Sequence, residues 1–207
     1  MKFASYADLL AGSLSRKIRV MGEDRPRFQR LAKGQRPQVT FLTCSDSRID
    51  PCALAHSQAG DLYIIRNAGN IVPEAFGGGG ELTTLEYAVE ALQTEHIVVC
   101  GHSDCGAMKG LLSPRACAHL PRVSTWVRQS LEALVAIEDA EDDPDVRLNR
   151  LIAANVKLQL EILRKLDFVR KAEEVGRLQL HGWFYDIETG HVRELLENSS
   201  ERLQRAA

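Results

Sequence analysis

Apolar residues are spaced along this chain in two rhythms that take turns. Short runs rich in β-branched and aromatic residues, Val39-Thr-Phe-Leu-Thr43, Asp61-Leu-Tyr-Ile-Ile-Arg66, His96-Ile-Val-Val-Cys100 and Leu178-Gln-Leu-His-Gly-Trp-Phe-Tyr185, predict strands. A further strand is predicted at His191 to Leu195, after the Glu188-Thr-Gly190 turn. Between the strands, Leu82, Leu85, Val89 and Leu92 recur at helical steps, as do Val123, Trp126, Val127, Leu131, Leu134 and Val135. Leu9, Leu10, Leu14 and Ile18 repeat the helical spacing near the start. The pattern predicts one domain over 1–207, with a helical arm at 1–35 and an α/β core at 36–195. Strands alternating with helices imply a mostly parallel sheet flanked by helices. The expected strand order is 2-1-3-4, with an antiparallel strand at the edge. No internal repeat or domain linker is visible.

Two segments interrupt the rhythm. Ile137 to Asp145 is acidic and broken by Pro144, which predicts a solvated loop between helices. Gly77-Gly-Gly-Gly80 precedes the helix at Glu81 to Gln93 but lacks the Gly-Lys-Ser/Thr ending of a phosphate loop, so it reads as a turn.

Composition narrows the functional classes. With 207 residues, 44% of them hydrophobic and 26% charged, the chain can bury a substantial core, and its net charge of -2 offers no basic surface for nucleic acid. No apolar run approaches the ~18–20 residues that span a bilayer, and the N-terminus lacks a secretory h-region. A cytoplasmic protein with no membrane partner is expected. The 5 cysteines are odd in number, which disfavours a disulfide framework. Cys52, Cys100 and Cys117 read as small buried hydrophobes.

The remaining cysteines carry chemistry. Cys44-Ser-Asp-Ser-Arg48 follows the first strand, and His102-Ser-Asp-Cys105 follows the third. Together they offer two thiols and an imidazole at carboxyl ends of strands, where open α/β sheets bind ligands. His102 and Cys105 have the spacing of a tight turn or helix start, with Gly101 and Gly106 around them. Three ligands of this kind suit a catalytic zinc, which keeps one position open, better than a structural zinc, which takes four. Two thiolates neutralise the dication and leave it a weaker acid toward water than three histidines would. Asp46 is placed to accept that water's hydrogen bond, and Arg48 to hold Asp46 through a bidentate contact. A carboxylate two residues from a ligand is also close enough to swing onto the metal and displace the water.

These motifs, with Arg66-Asn-Ala-Gly-Asn70 and Glu86-Tyr-Ala88, resemble those of β-class carbonic anhydrases in order and spacing, from about residue 5 to Trp183-Phe-Tyr-Asp-Ile-Glu-Thr-Gly190. The resemblance implies one zinc per subunit on Cys44, His102 and Cys105, an Asp46-Arg48 dyad, and reversible hydration of carbon dioxide to bicarbonate. It also implies a homo-oligomer, either a dimer or a dimer of dimers. Lys33-Gly-Gln-Arg-Pro37 is similar to the plant-type pattern, in which Gln35 would donate to bicarbonate. Phe41 and Thr43 stand where the bicarbonate-regulated bacterial subtype has tryptophan and glycine. Tyr63 and Tyr87 match pocket aromatics, and Gly106 offers a backbone amide to the product. Ala91 departs from the pattern, because plant-type enzymes have a proton-relay histidine there. His56, His96 and His119 are the unassigned alternatives.

Two other readings use the same residues. One is a hydrolase of carbon disulfide or carbonyl sulfide on the same fold; the other is a noncatalytic binding protein that zinc merely stabilises. Asp46, Arg48 and Gln35 weigh against the second, since a structural site has no use for an activated water.

Overall fold

The strand-forming runs all become strands, and the computed structural model extends two of them into the chemical motifs. It describes residues 6–73, 79–137 and 143–195, apart from the side chains at 6, 14, 18 and 19. The side chains of Leu14 and Ile18, most of the acidic loop, and Gly77 and Gly78 therefore lie outside that description.

Two compact units make up the chain, Met1–Arg36 and Pro37–Ala207. The first contains helix α1 (Tyr6–Met21) and helix α2 (Arg25–Leu31). Arg16 joins them, lying over the Phe28 ring at 5.1 Å and facing Asp24 at 3.7 Å. Leu9 and Leu10 on α1 are exposed.

In the second unit, β1 (Val39–Cys44), helix α3 (Pro51–Leu54), β2 (Leu62–Asn67), helix α4 (Gly80–Glu86) and β3 (His96–His102) follow in order. Then come α5 (Gly106–Leu112), α6 (Pro121–Val127), α7 (Leu131–Val135), α8 (Pro144–Lys165), α9 (Asp167–Glu174), β4 (Gln179–Tyr185) and β5 (Val192–Glu194). Among the described residues the strands form one sheet in the order β2-β1-β3-β4-β5. Every pairing is parallel except that of β4 with β5, as the alternation of strands and helices predicts.

Two predicted helices are not continuous. The α4 pattern passes into a π-helical turn over Tyr87–Ala91, where the Leu92 N–H reaches back to the Tyr87 carbonyl. The helical spacing from Val123 to Val135 is interrupted by a 3-10 turn at Arg128–Ser130. There the Gln129 side chain donates to the Trp126 carbonyl, and polar side chains that bond nearby backbone compete with the helical ladder.

The longest helix, α8, is one that the sequence pattern named only by placing an interhelical loop before it. Asp143 caps it by accepting the Asp145 N–H at 2.8 Å, and Pro144 sits at its start, where a missing N–H costs nothing. Leu148, Leu151, Ile152, Val156, Ile162 and Leu163 are buried along one side. Each large apolar side chain buried in this way contributes about 1.5–3 kcal/mol. The helix lies close to the sheet because β3 and β4 present glycines to it. A Cβ on Gly101 would come within 2.8 Å of Val156 and 2.9 Å of Ile152, and one on Gly182 within 3.0 Å of Leu160 and Val156. The opposite sheet face has its own smaller apolar cluster of Phe41, Val98 and Cys100, flanked by Trp183 and Tyr185.

Candidate metal centre

Parallel strands β1 and β3 lie side by side, with Thr43 opposite Cys100, so Cys44 and His102 reach the same end of the sheet. Beyond His102 the chain turns at Asp104, whose φ of 59° is left-handed, and brings Cys105 to the start of α5. The ligand atoms of Cys44, His102 and Cys105 lie within 4.8 Å of one another, and all three residues are buried. Asp46 is not part of this cluster.

The imidazole is set for a metal. His102 Nδ1 lies 2.8 Å from the Ser103 carbonyl, which only accepts, so Nδ1 carries the hydrogen. Nε2 is then a bare lone pair, and it is buried without a hydrogen-bond partner. A buried polar atom left orphaned costs free energy that a metal would recover. The sulfurs agree. The Cys44 thiol is held low by hydrogen bonding from Cys105, helped by the Gly69 and Asp46 amides, while Cys105 is pushed up in exchange. An imidazole nitrogen and two sulfurs this close fit zinc bonds of ~2.0–2.3 Å with a fourth position left over. Cys100 contrasts with them, its thiol pushed up to about 12 by burial, consistent with a core residue.

Arg48 grips Asp46 with two parallel bonds, Nε to Oδ1 at 2.9 Å and Nη2 to Oδ2 at 2.8 Å, and the Arg48 N–H adds a third at 3.0 Å. These hydrogen bonds hold the Asp46 carboxyl well below the usual carboxylate range despite partial burial. The same guanidinium reaches Asp104 at 2.7 Å and its carbonyl at 3.2 Å, and Lys109 also bonds to Asp104. Lys109 and then Arg48 lower the Asp104 carboxyl in turn. Arg48 thus ties the two ligand loops together. The sequence reading passed over Asp104 and Lys109, although an acid between two ligands was the signal for them.

The Arg66-Asn-Ala-Gly-Asn70 segment supports the site from behind. Arg66 donates to the carbonyls of Cys44 at 3.1 Å and Asp46 at 2.7 Å. Asn67 folds the loop by bonding both the N–H and the carbonyl of Ile71. The Gly69 N–H donates to the Cys44 sulfur at 3.4 Å. Helix α8 holds this loop through two buried amides: Asn155 donates to the Gly69 carbonyl at 3.0 Å, and Gln159 accepts the Val72 N–H at 2.7 Å. Gln159 also donates to Asn155 at 2.9 Å. Polar residues four apart on an otherwise apolar helix stripe were a readable sign of such a task.

The remaining candidates are more dispersed. Gly106 opens α5 and is exposed, and a first-turn N–H has no partner within its helix. Tyr63 and Tyr87 pack on each other with ring centroids 6.3 Å apart. Tyr63 pairs in register with Thr40, and Asn67 with Cys44, so Tyr63 lies four rungs, or ~13 Å, down the sheet from the metal ligand. Gln35 is an exposed residue of the first unit. Ala91 ends the π-helical turn and is exposed. His96 begins the strand that His102 ends, ~20 Å away, and its Nδ1 is 3.1 Å from His181 Nε2. It is therefore not a short-range proton relay within its own chain. His119 is exposed, and His56 adopts a φ of 48° after α3.

Residues 39–192 match the family described as carbonic anhydrase. A carbonic anhydrase of Synechococcus elongatus is 45% identical over 179 residues, which cover 84% of this chain and 65% of that protein, so the chain spans slightly under two thirds of its length. One from Pseudomonas aeruginosa is also 45% identical, with 84% of this chain and 80% of that protein covered. Among solved structures, the β-carbonic anhydrase CcaA superposes with a TM-score of 0.85 at 38% identity, covering 92% of this chain and 95% of that one. Ligand set, sheet order and likeness agree, and the chain belongs to the β class of the carbonic anhydrase family.

Proposed function

We infer that this chain catalyses the zinc-dependent, reversible hydration of carbon dioxide to bicarbonate and a proton. The observation that carries the reading is the buried Cys44, His102 and Cys105 cluster, with an unpartnered imidazole nitrogen, beside a carboxylate kept ionised by Arg48. Cys44, His102 and Cys105 would hold the metal, which supplies Lewis acidity that lets water ionise near neutral pH.

The protein residues do the rest. Asp46, kept ionised, would accept a hydrogen bond from a water that such a metal activates and so orient it. Its three bonds to Arg48 set that acceptor's direction, and the Arg48 link to Asp104 keeps it registered with the His102 and Cys105 loop. For Asp46 to swing onto a bound metal it would first have to leave Arg48. The Gly106 N–H is proposed as a donor for an oxygen of bicarbonate. Tyr63 and Tyr87 are proposed as aromatic walls of the substrate pocket.

Oligomerisation fits the exposed Leu9, Leu10 and Tyr87. A relative from Sordaria macrospora, 30% identical with a TM-score of 0.80, is described as tetrameric, and a dimer or dimer of dimers is proposed here. None of the cysteines is paired in a disulfide, and among the described residues no helix is long and apolar enough to cross a membrane. Both support a cytoplasmic site of action.

Stopped-flow hydration of carbon dioxide by the metal-replete protein tests the reading, with carbonyl sulfide and carbon disulfide offered in parallel. Hydration of carbon dioxide is expected to dominate. Turnover of the sulfur compounds alone would reassign the substrate, and no turnover of any of them would leave only a zinc-stabilised binding protein.

A further inference from the structure

The peptide group joining Ala68 to Gly69 is bonded at both ends. Its N–H donates to the Cys44 sulfur at 3.4 Å, and its carbonyl accepts the indole N–H of Trp126 at 2.8 Å. None of the described peptide bonds is cis, so the carbonyl and the N–H of this group point in opposite directions. The indole N–H on one side and the accepting sulfur on the other are thus joined in one continuous hydrogen-bond chain, Trp126 to Ala68 and Gly69 to Cys44. A carbonyl that accepts a hydrogen bond draws charge through the amide and makes its N–H a stronger donor, an effect that grows where water is excluded. Cys44 and Gly69 are both buried.

The geometry points to Trp126 as a positioning residue that strengthens, through the Ala68–Gly69 peptide, the hydrogen bond on the metal-ligating Cys44 sulfur. This rests on the metal-site reading above. Trp126 touches neither the ligands nor the substrate; it acts on how much electron density the Cys44 sulfur gives to the metal. Pro121 at the start of α6 and the apolar face of Val123, Trp126 and Val127 place the indole. Asn155 bonds the next carbonyl, that of Gly69, and so holds the loop without polarising the peptide that faces Cys44. Hydrogen bonds to ligands from groups outside the coordination shell commonly set metal affinity by factors of ~10–100.

The test compares Trp126→Phe, which keeps an aromatic ring and removes the N–H, with Val127→Ala, which removes buried volume from the same helix. Should the Phe variant fail to fold, β-(3-benzothienyl)alanine at position 126 replaces the N–H with sulfur at nearly constant shape. In the cobalt-substituted enzyme, the thiolate-to-metal charge-transfer band moves to longer wavelength when the N–H is lost, because a less stabilised sulfur gives up its electron more easily. In the zinc enzyme, competition with a chelator shows affinity shifted by up to about tenfold, the lower end for a partner bonded to a ligand directly, since the indole acts one peptide further out. Val127→Ala lowers thermal stability and moves neither readout. A band and an affinity unchanged in the N–H-less variant, or shifted equally by Val127→Ala, overturn the proposal. The unsubstituted enzyme keeps its zinc and hydration activity in that case, whereas failure of the functional reading is visible in the unsubstituted enzyme itself.

Discussion

Gly69 hydrogen-bonds Cys44 from a backbone angle that only glycine adopts with ease, φ 83°. A Cβ there would also come within 3.0 Å of Ala107 and 3.1 Å of Met108. Gly69→Ala is expected to cost about 1–3 kcal/mol, the usual range for strained backbone, and to weaken metal retention as well. Denaturant unfolding with metal analysis of the same samples checks both; an alanine variant as stable and as metal-replete as the wild type would remove the loop from the account.

Asp46→Ala leaves all three ligands and removes the acceptor. Zinc content is expected to hold while hydration falls by about 100-fold or more, the lower range for loss of a group that handles a proton. Arg48→Lys, which keeps the charge but not the paired geometry, is expected to fall in between. Kinetics beside metal analysis separates this outcome from loss of the metal.

Gly101 precedes a ligand and faces α8 at closer than ordinary contact. Gly101→Ala is expected to destabilise by about 1–3 kcal/mol through overpacking. Since one obstructing atom belongs to Val156, the Gly101→Ala, Val156→Ala double variant is expected to be more stable than the sum of the single costs predicts. A double-mutant cycle by denaturant unfolding reads this, and additivity would contradict it.

Glu173 on α9 has its carboxyl raised by burial, with Arg164 at 4.0 Å opposing the shift. A pKa raised on folding gives stability that is complete below the unfolded value and lost as pH rises through the folded one. Glu173→Gln, always neutral, is therefore expected to be slightly more stable than wild type at pH 7 and equal to it near pH 4. The partial exposure of Glu173 keeps the effect small. Thermal melts at the two pH values check the sign.

The strands and the three ligands were legible because their signals are local. A β-rich run names a strand by itself, and Cys44, His102 and Cys105 need only lie at carboxyl ends of neighbouring strands. What escaped depends on contacts between distant segments. Nothing near Trp126 or Asn155 reveals that they bond residues 58 and 86 positions away. The π-helical turn after Glu86 and the interruption at Arg128–Ser130 were hidden because hydrophobic spacing survives small changes in helical pitch. The two tyrosines were matched by resemblance alone, and their mutual packing, four rungs below Cys44 at Tyr63, could not be read from spacing.

The central claim is a zinc on Cys44, His102 and Cys105 working with Asp46 to hydrate carbon dioxide. The most direct measurement pairs metal content with stopped-flow hydration between pH 7 and 9, before and after chelation and zinc return. About one zinc per chain, activity lost with the metal and regained with it, is the predicted result. A metal-replete protein that hydrates no carbon dioxide across that range would contradict it.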